Sequence, residues 1–144
     1  MSLNALRSRC EDMLEPGEEV ILEADAQGVL GSLRLLVPGH GYLTTQRIIW
    51  LNRRLLLFPR WLYRSPDSFA IRIADMQSVV LSKQLSYACL LITMGKRQQL
   101  QLRLGSERFF SLRNNVSTTS QWFQAIQQIR AKGVLPDRQS GNRQ

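Results

Sequence analysis

The spacing of apolar residues changes along this chain, and each change predicts an element. Leu3, Leu6, Cys10, Met13 and Leu14 recur at helical spacing over residues 3–14, and Pro16-Gly17 stops the helix they predict. From Val20 the period drops to two. Val20, Leu22 and Ala24 alternate with Ile21, Glu23 and Asp25, the pattern of a strand with one solvated face. Residues 28–41 carry Gly28, Gly31, Gly39, Gly41 and Pro38, which predicts a connection or a broken strand. GYLTTQRIIWL (41–51), rich in Thr, Ile, Tyr and Trp, predicts one strand, or two joined near Gln46.

Beyond a turn at Ser65-Pro66-Asp67-Ser68, Phe69, Ile71 and Ile73 alternate with Ala70, Arg72 and Ala74, and Val79-Val80-Leu81 forms a further short apolar run. ACLLITM (88–94), GKRQ (95–98) and QLQLRL (99–104) have the layout of a hairpin. In its second arm Leu100, Leu102 and Leu104 face inward, while Gln99, Gln101 and Arg103 face water. Phe109, Phe110 and Leu112 suggest a last strand. Thr118 and Gln121 match a capping box, Trp122, Phe123, Ile126 and Ile129 share one helical face, and Gly133 stands where a C-terminal cap belongs. The expected architecture is mainly β. Seven antiparallel strands form a sandwich or partly open barrel, capped by a C-terminal α-helix that carries Trp122, with an extra N-terminal helix. A single domain spans 1–136, and the tail 137–144, with nothing to bury, is expected to be disordered.

Composition agrees with one core: the chain has 144 residues, of which 44% are hydrophobic. Charge is distributed unevenly. Residues 1–25 hold seven acids against Arg7 and Arg9, a net −5, whereas residues 26–144 hold seventeen Lys/Arg against four acids, a net +13. A basic body of this kind predicts an anionic partner. Cys10 and Cys89 form no spaced set, which suggests a reducing compartment. The first seventeen residues lack an apolar stretch of signal-peptide length, and no apolar run approaches the roughly 20 residues needed to span a bilayer. A cytoplasmic protein, peripheral to membrane at most, is the expectation.

Several phrases resemble the GRAM domain and its relatives in the pleckstrin-homology superfamily. They are LEPGEEV (14–20), GYLTTQRIIWL (41–51) and IRIADMQSVV (71–80), followed by the helix that contains Trp122. The resemblance covers roughly residues 14–132. It implies a non-catalytic module that recruits its host to phosphoinositides or to a protein partner. Domains of this kind that bind phosphoinositides concentrate Lys/Arg around the loop joining their first two strands. The corresponding stretch here offers Arg34 and His40, so no lipid-binding residue is carried over.

The stretch RRLLLFPRWLYR (53–64) is the strongest candidate site. Arg53, Arg54, Arg60 and Arg64 surround Leu56, Leu57, Phe58, Trp61 and Tyr63. Each arginine near an anionic surface is worth about 1 kcal/mol, and Trp and Tyr rings sit at headgroup depth. Two or three buried apolar side chains add roughly 1.5–3 kcal/mol each. Offset by the cost of association, these amount to a weak, reversible, salt-sensitive anchor on phosphoinositide or phosphatidylserine. The same residues fit a cover over the core with arginines turned outward, or an interface with a protein partner or a second copy, where Trp, Tyr and Arg are enriched. Arg34, Lys96 and Arg97 are secondary basic candidates.

His40, the single histidine, flanked by glycines, is expected at an exposed turn, and it cannot build a histidine-based metal site or triad. The early acids lack calcium-loop spacing and are expected to solvate the first helix and strand or to neutralise the basic body in cis. No catalytic constellation, metal site or cofactor motif is present in the sequence. Nucleic acid ranks last among partners, because the aromatics do not interleave with Lys/Arg as stacking platforms do.

Overall fold

The computed structural model describes residues 2–30, 33–35, 39–52, 67–83, 88–95, 98–105 and 115–142, with the backbone alone for 33–35, 115 and 133–142. Helix α1 (Leu3–Met13) starts at Ser2, whose side chain accepts a hydrogen bond from the Ala5 amide at 3.1 Å. It ends before Gly17, whose φ of 82° is open to glycine at no steric cost. The strands are β1 (Val20–Leu30), β2 (Leu33–Leu35), β3 (Gly39–Thr44), β4 (Arg47–Asn52), β5 (Ser68–Arg72), β6 (Met76–Lys83), β7 (Ala88–Met94) and β8 (Gln99–Gly105). One 3-10 turn, Ile73–Asp75, joins β5 to β6, and helix α2 covers Asn115–Asn142.

All strand pairs are antiparallel, in the order β5-β4-β3-β1-β8-β7-β6, with β2 attached to β1 alone. The fold is therefore mainly β, with a helix at each end of the chain. The sheet is not closed into a barrel: β5 and β6 follow one another in sequence, yet among the described residues each pairs only with its other neighbour. It nevertheless bends around one core. Leu43, Trp50, Ile71, Val79, Ile92 and Leu102, from both halves of the path, pack together with Trp122 and Ile126 of α2. The alternation read from β8 is realised, with Leu100, Leu102 and Leu104 buried and Gln99 and Gln101 exposed.

A second, smaller cluster explains why IIWL carries no polar positions. Tyr42, Ile49 and Leu51 point away from the main core and are covered by Leu6 and Cys10 of α1. Strands β3 and β4 are thus buried on both faces, so the apolar runs Tyr42-Leu43 and Ile48-Ile49-Trp50-Leu51 show no alternation.

Several boundaries differ from the sequence expectation. β1 continues through Gly28 to Leu30, because that glycine serves close approach and does not break the strand: a Cβ there would lie 2.8 Å from the Gln101 carbonyl oxygen. Ile73 leaves the strand alternation and begins the 3-10 turn. Helix α2 starts at Asn115, ahead of the Thr118 capping pattern, and Thr119 is already buried against the core. Its backbone also runs past Gly133 to Asn142. Glycine permits a left-handed cap without compelling one, and within a helix it costs only about 1 kcal/mol relative to alanine. The expected strand at Phe109–Leu112 lies outside the described residues.

Candidate functional site

The sheet topology fixes where the candidate basic segments leave the fold. β1 and β4 each pair antiparallel with β3, and β1 and β7 each pair antiparallel with β8. Strands β1, β4 and β7 therefore run in one direction, and their C-terminal ends lie on the same side of the sheet. The stretch 53–64 departs from the end of β4. Its flanks are held one strand apart, by the Leu51–Ser68 pair and by a 2.9 Å hydrogen bond from the Asn52 amide to the Asp67 carbonyl. Arg34 lies on β2, opposite Val29, in the hairpin that follows β1. Lys96 and Arg97 follow β7, between Met94 and Gln98, whose backbones are joined by a 2.8 Å hydrogen bond.

Arg53, Arg54, Leu56, Leu57, Phe58, Arg60, Trp61, Tyr63 and Arg64 themselves lie outside the described residues, as do Lys96 and Arg97. Arg34 is described by its backbone alone.

At the opposite end of the sheet the early acids meet arginines. Glu18 is buried just before β1 and accepts two bonds from Arg47 of β4, Nε to Oε2 at 3.0 Å and Nη2 to Oε1 at 2.8 Å. Thr44 donates to the same carboxylate, and Arg47 Nη2 also reaches the Met13 carbonyl at 2.7 Å, which ties the end of α1 to the sheet. Burial alone would push the Glu18 carboxyl up. Hydrogen bonds from Arg47, Thr44 and the Glu15 amide outweigh it and hold that carboxyl at about 2. Glu15 itself pairs with Arg72 of β5. Part of the acidic N-terminal segment thus neutralises arginines in cis, one of the two roles expected for it.

His40 departs from expectation. It lies on β3 with 3% exposure, not at an exposed turn. Its flanking glycines serve close approach: a Cβ on Gly39 would sit 2.2 Å from Trp50 Nε1, and one on Gly41 would sit 3.0 Å from Ala26 Cβ. Glycine inside a strand marks close backbone approach as often as a turn, and that was the signal available in GHGY. His40 Nδ1 lies 3.1 Å from Asp25 Oδ1, while Nε2 has no hydrogen-bond partner and faces Glu23 Oε1 at 3.9 Å. The other Glu23 oxygen accepts from Arg7 of α1 at 2.7 Å.

These groups act as clasps between α1 and the sheet. Glu18 and Glu23 are each engaged by a guanidinium group, from Arg47 and Arg7 respectively. Among the described residues no group of three or more His, Cys, Asp or Glu side chains is placed to hold a metal ion. None of the described helices is long and apolar enough to cross a membrane.

The architecture defines a mainly-β domain flanked by two helices. No family model and no curated protein matches the chain. Among solved structures, the C-terminal domain of an unknown protein from Leishmania infantum is similar at 15% identity and a TM-score of 0.48, covering 83% of this chain and 96% of that one. Likeness at that level speaks for neither a family nor a function.

Proposed function

We propose that this chain is a non-catalytic binding module of the pleckstrin-homology-like, GRAM-type class. It associates peripherally with anionic membrane lipid, phosphoinositide or phosphatidylserine, through residues 53–64. The observation that carries this reading is the common direction of β1, β4 and β7. It supports a single basic end of the sheet, fed by Arg34, by the four arginines of 53–64 and by Lys96 and Arg97. Asp67 flanks this end, whereas Glu15 and Glu18 lie at the other one, where they are occupied by Arg72 and Arg47. The terminal helix packed into the bend of an open antiparallel sheet is consistent with the fold class.

In this mechanism the arginines bring the basic end to the headgroups, and Trp61 and Tyr63 settle at the interface while Leu56, Leu57 or Phe58 enters the acyl region. Co-sedimentation with liposomes tests it. The chain is expected to pellet with phosphatidylserine or phosphoinositide vesicles in preference to neutral ones, less so at high salt, and Trp61→Ala is expected to weaken the binding. Equal binding to neutral vesicles together with an unaffected Trp61→Ala variant would rule the proposal out.

A further inference from the structure

The path of the sheet stops at β6, and on the side away from β7 no strand pairs with it among the described residues. Its sequence, MQSVVLSK, contains no proline and one charge, Lys83, at its end. An edge of that kind is open to pairing with another strand. The other terminal strand, β5, is guarded by Arg72 in its ion pair with Glu15. Val80, 51% exposed, is the most exposed large apolar side chain among the described residues. It heads a row across the outer face of the sheet, where Val80 pairs with Leu91, Leu91 with Gln101 and Gln101 with Val29, itself 43% exposed.

The edge is complementary to itself. In an antiparallel register centred on Val80, Val80 faces the Val80 of a second copy, Val79 faces Leu81, Ser78 faces Ser82 and Gln77 faces Lys83. Opposed residues share a face of the sheet. This register therefore joins the inward Val79 and Leu81, which already pack with the main core, and sets the outward Val80 against its copy. No like charges are opposed. Centring the register on Leu81 would instead place Lys83 against the buried Val79. The Gln77 carbonyl is occupied by Arg130 Nη2 of α2 at 3.0 Å, which confines the shared ladder to Ser78–Ser82.

We propose that β6 pairs antiparallel with β6 of a second copy of this chain, about a two-fold axis through Val80, continuing the sheet across both molecules. One short ladder makes the association weak and concentration-dependent. Strand β6 contains none of residues 53–64, and the proposed pairing does not require membrane binding.

Sedimentation equilibrium of the full chain between about 1 μM and about 1 mM is expected to show the mass rising from one chain toward two. Val80→Lys opposes two ammonium groups at the axis and raises the dimer Kd about tenfold or more. Its far-UV circular dichroism stays unchanged, because the site is exposed. Val80→Cys is expected to cross-link to itself on mild oxidation, since facing Cα atoms about 4.5–5.5 Å apart suit a disulfide. The native Cys10 and Cys89 are buried. A monomer at every concentration would overturn the proposal. So would a dimer that Val80→Lys leaves intact and Val80→Cys does not trap, including one broken only by Trp61→Asp.

Discussion

Arg47 and Glu18 meet through two nearly parallel hydrogen bonds of 3.0 and 2.8 Å, with the carboxylate side chain fully withdrawn from water. The pair joins the segment ahead of β1 to β4, and through the Met13 carbonyl it also holds the end of α1. Much of the way α1 lies on the sheet depends on this contact.

Removing Arg47 would leave a buried carboxylate with Thr44 and the Glu15 amide as its remaining donors. Arg47→Ala is expected to lower stability by about 3 kcal/mol or more, measured by urea unfolding. The double variant Glu18→Gln/Arg47→Met should recover part of that loss, because it removes both charges together.

The same pair fixes an acid limb in the stability profile. The Glu18 carboxyl is held at about 2 in the folded chain, against an ordinary value of 4.5. Its contribution is therefore complete above pH 4.5 and is lost as pH falls from there toward 2. At about 1.4 kcal/mol per unit the loss reaches up to about 3 kcal/mol. Urea midpoints taken across this window should fall steeply for the native chain and less steeply for Glu18→Gln. Parallel profiles would show that other carboxylates dominate.

Gly39 lies flat against the Trp50 indole, whose Nε1–H donates to the Ala26 carbonyl at 2.8 Å. Gly39→Ala drives a methyl group into that ring and should cost on the order of 1–3 kcal/mol. In a Trp50→Leu background the cost of Gly39→Ala should shrink, and a double-mutant cycle measures the difference. An undiminished cost would point to the backbone as its source.

Cys10 is sealed beneath α1, and burial pushes its thiol up to about 11. It should resist Ellman's reagent at neutral pH in the folded chain and react promptly in urea. Arg7→Ala, which removes the Glu23 clasp, should speed the native reaction by freeing α1 more often.

Elements whose pattern follows one face of one neighbour were legible in the sequence. α1, the β7–β8 hairpin and the Trp122 stripe belong to this group, because helical and alternating periods record burial directly. The two strands within 41–51 were legible as well, since the turn near Gln46 interrupts them. The expected membrane-facing stretch was recognised from composition alone, and its residues lie outside those the structure describes.

The sequence by itself determined a mainly-β chain with a helix near each end and an acidic segment ahead of a basic body, because periodicity and charge are local properties. Only the tertiary structure decided that β4 lies between two cores, that His40 is buried beside Asp25, that Glu18 finds Arg47, and that β1, β4 and β7 run the same way. Those relations join residues distant in the chain, and they follow from strand order and from glycines that let rings approach the backbone. Neither leaves a period to be read along the sequence.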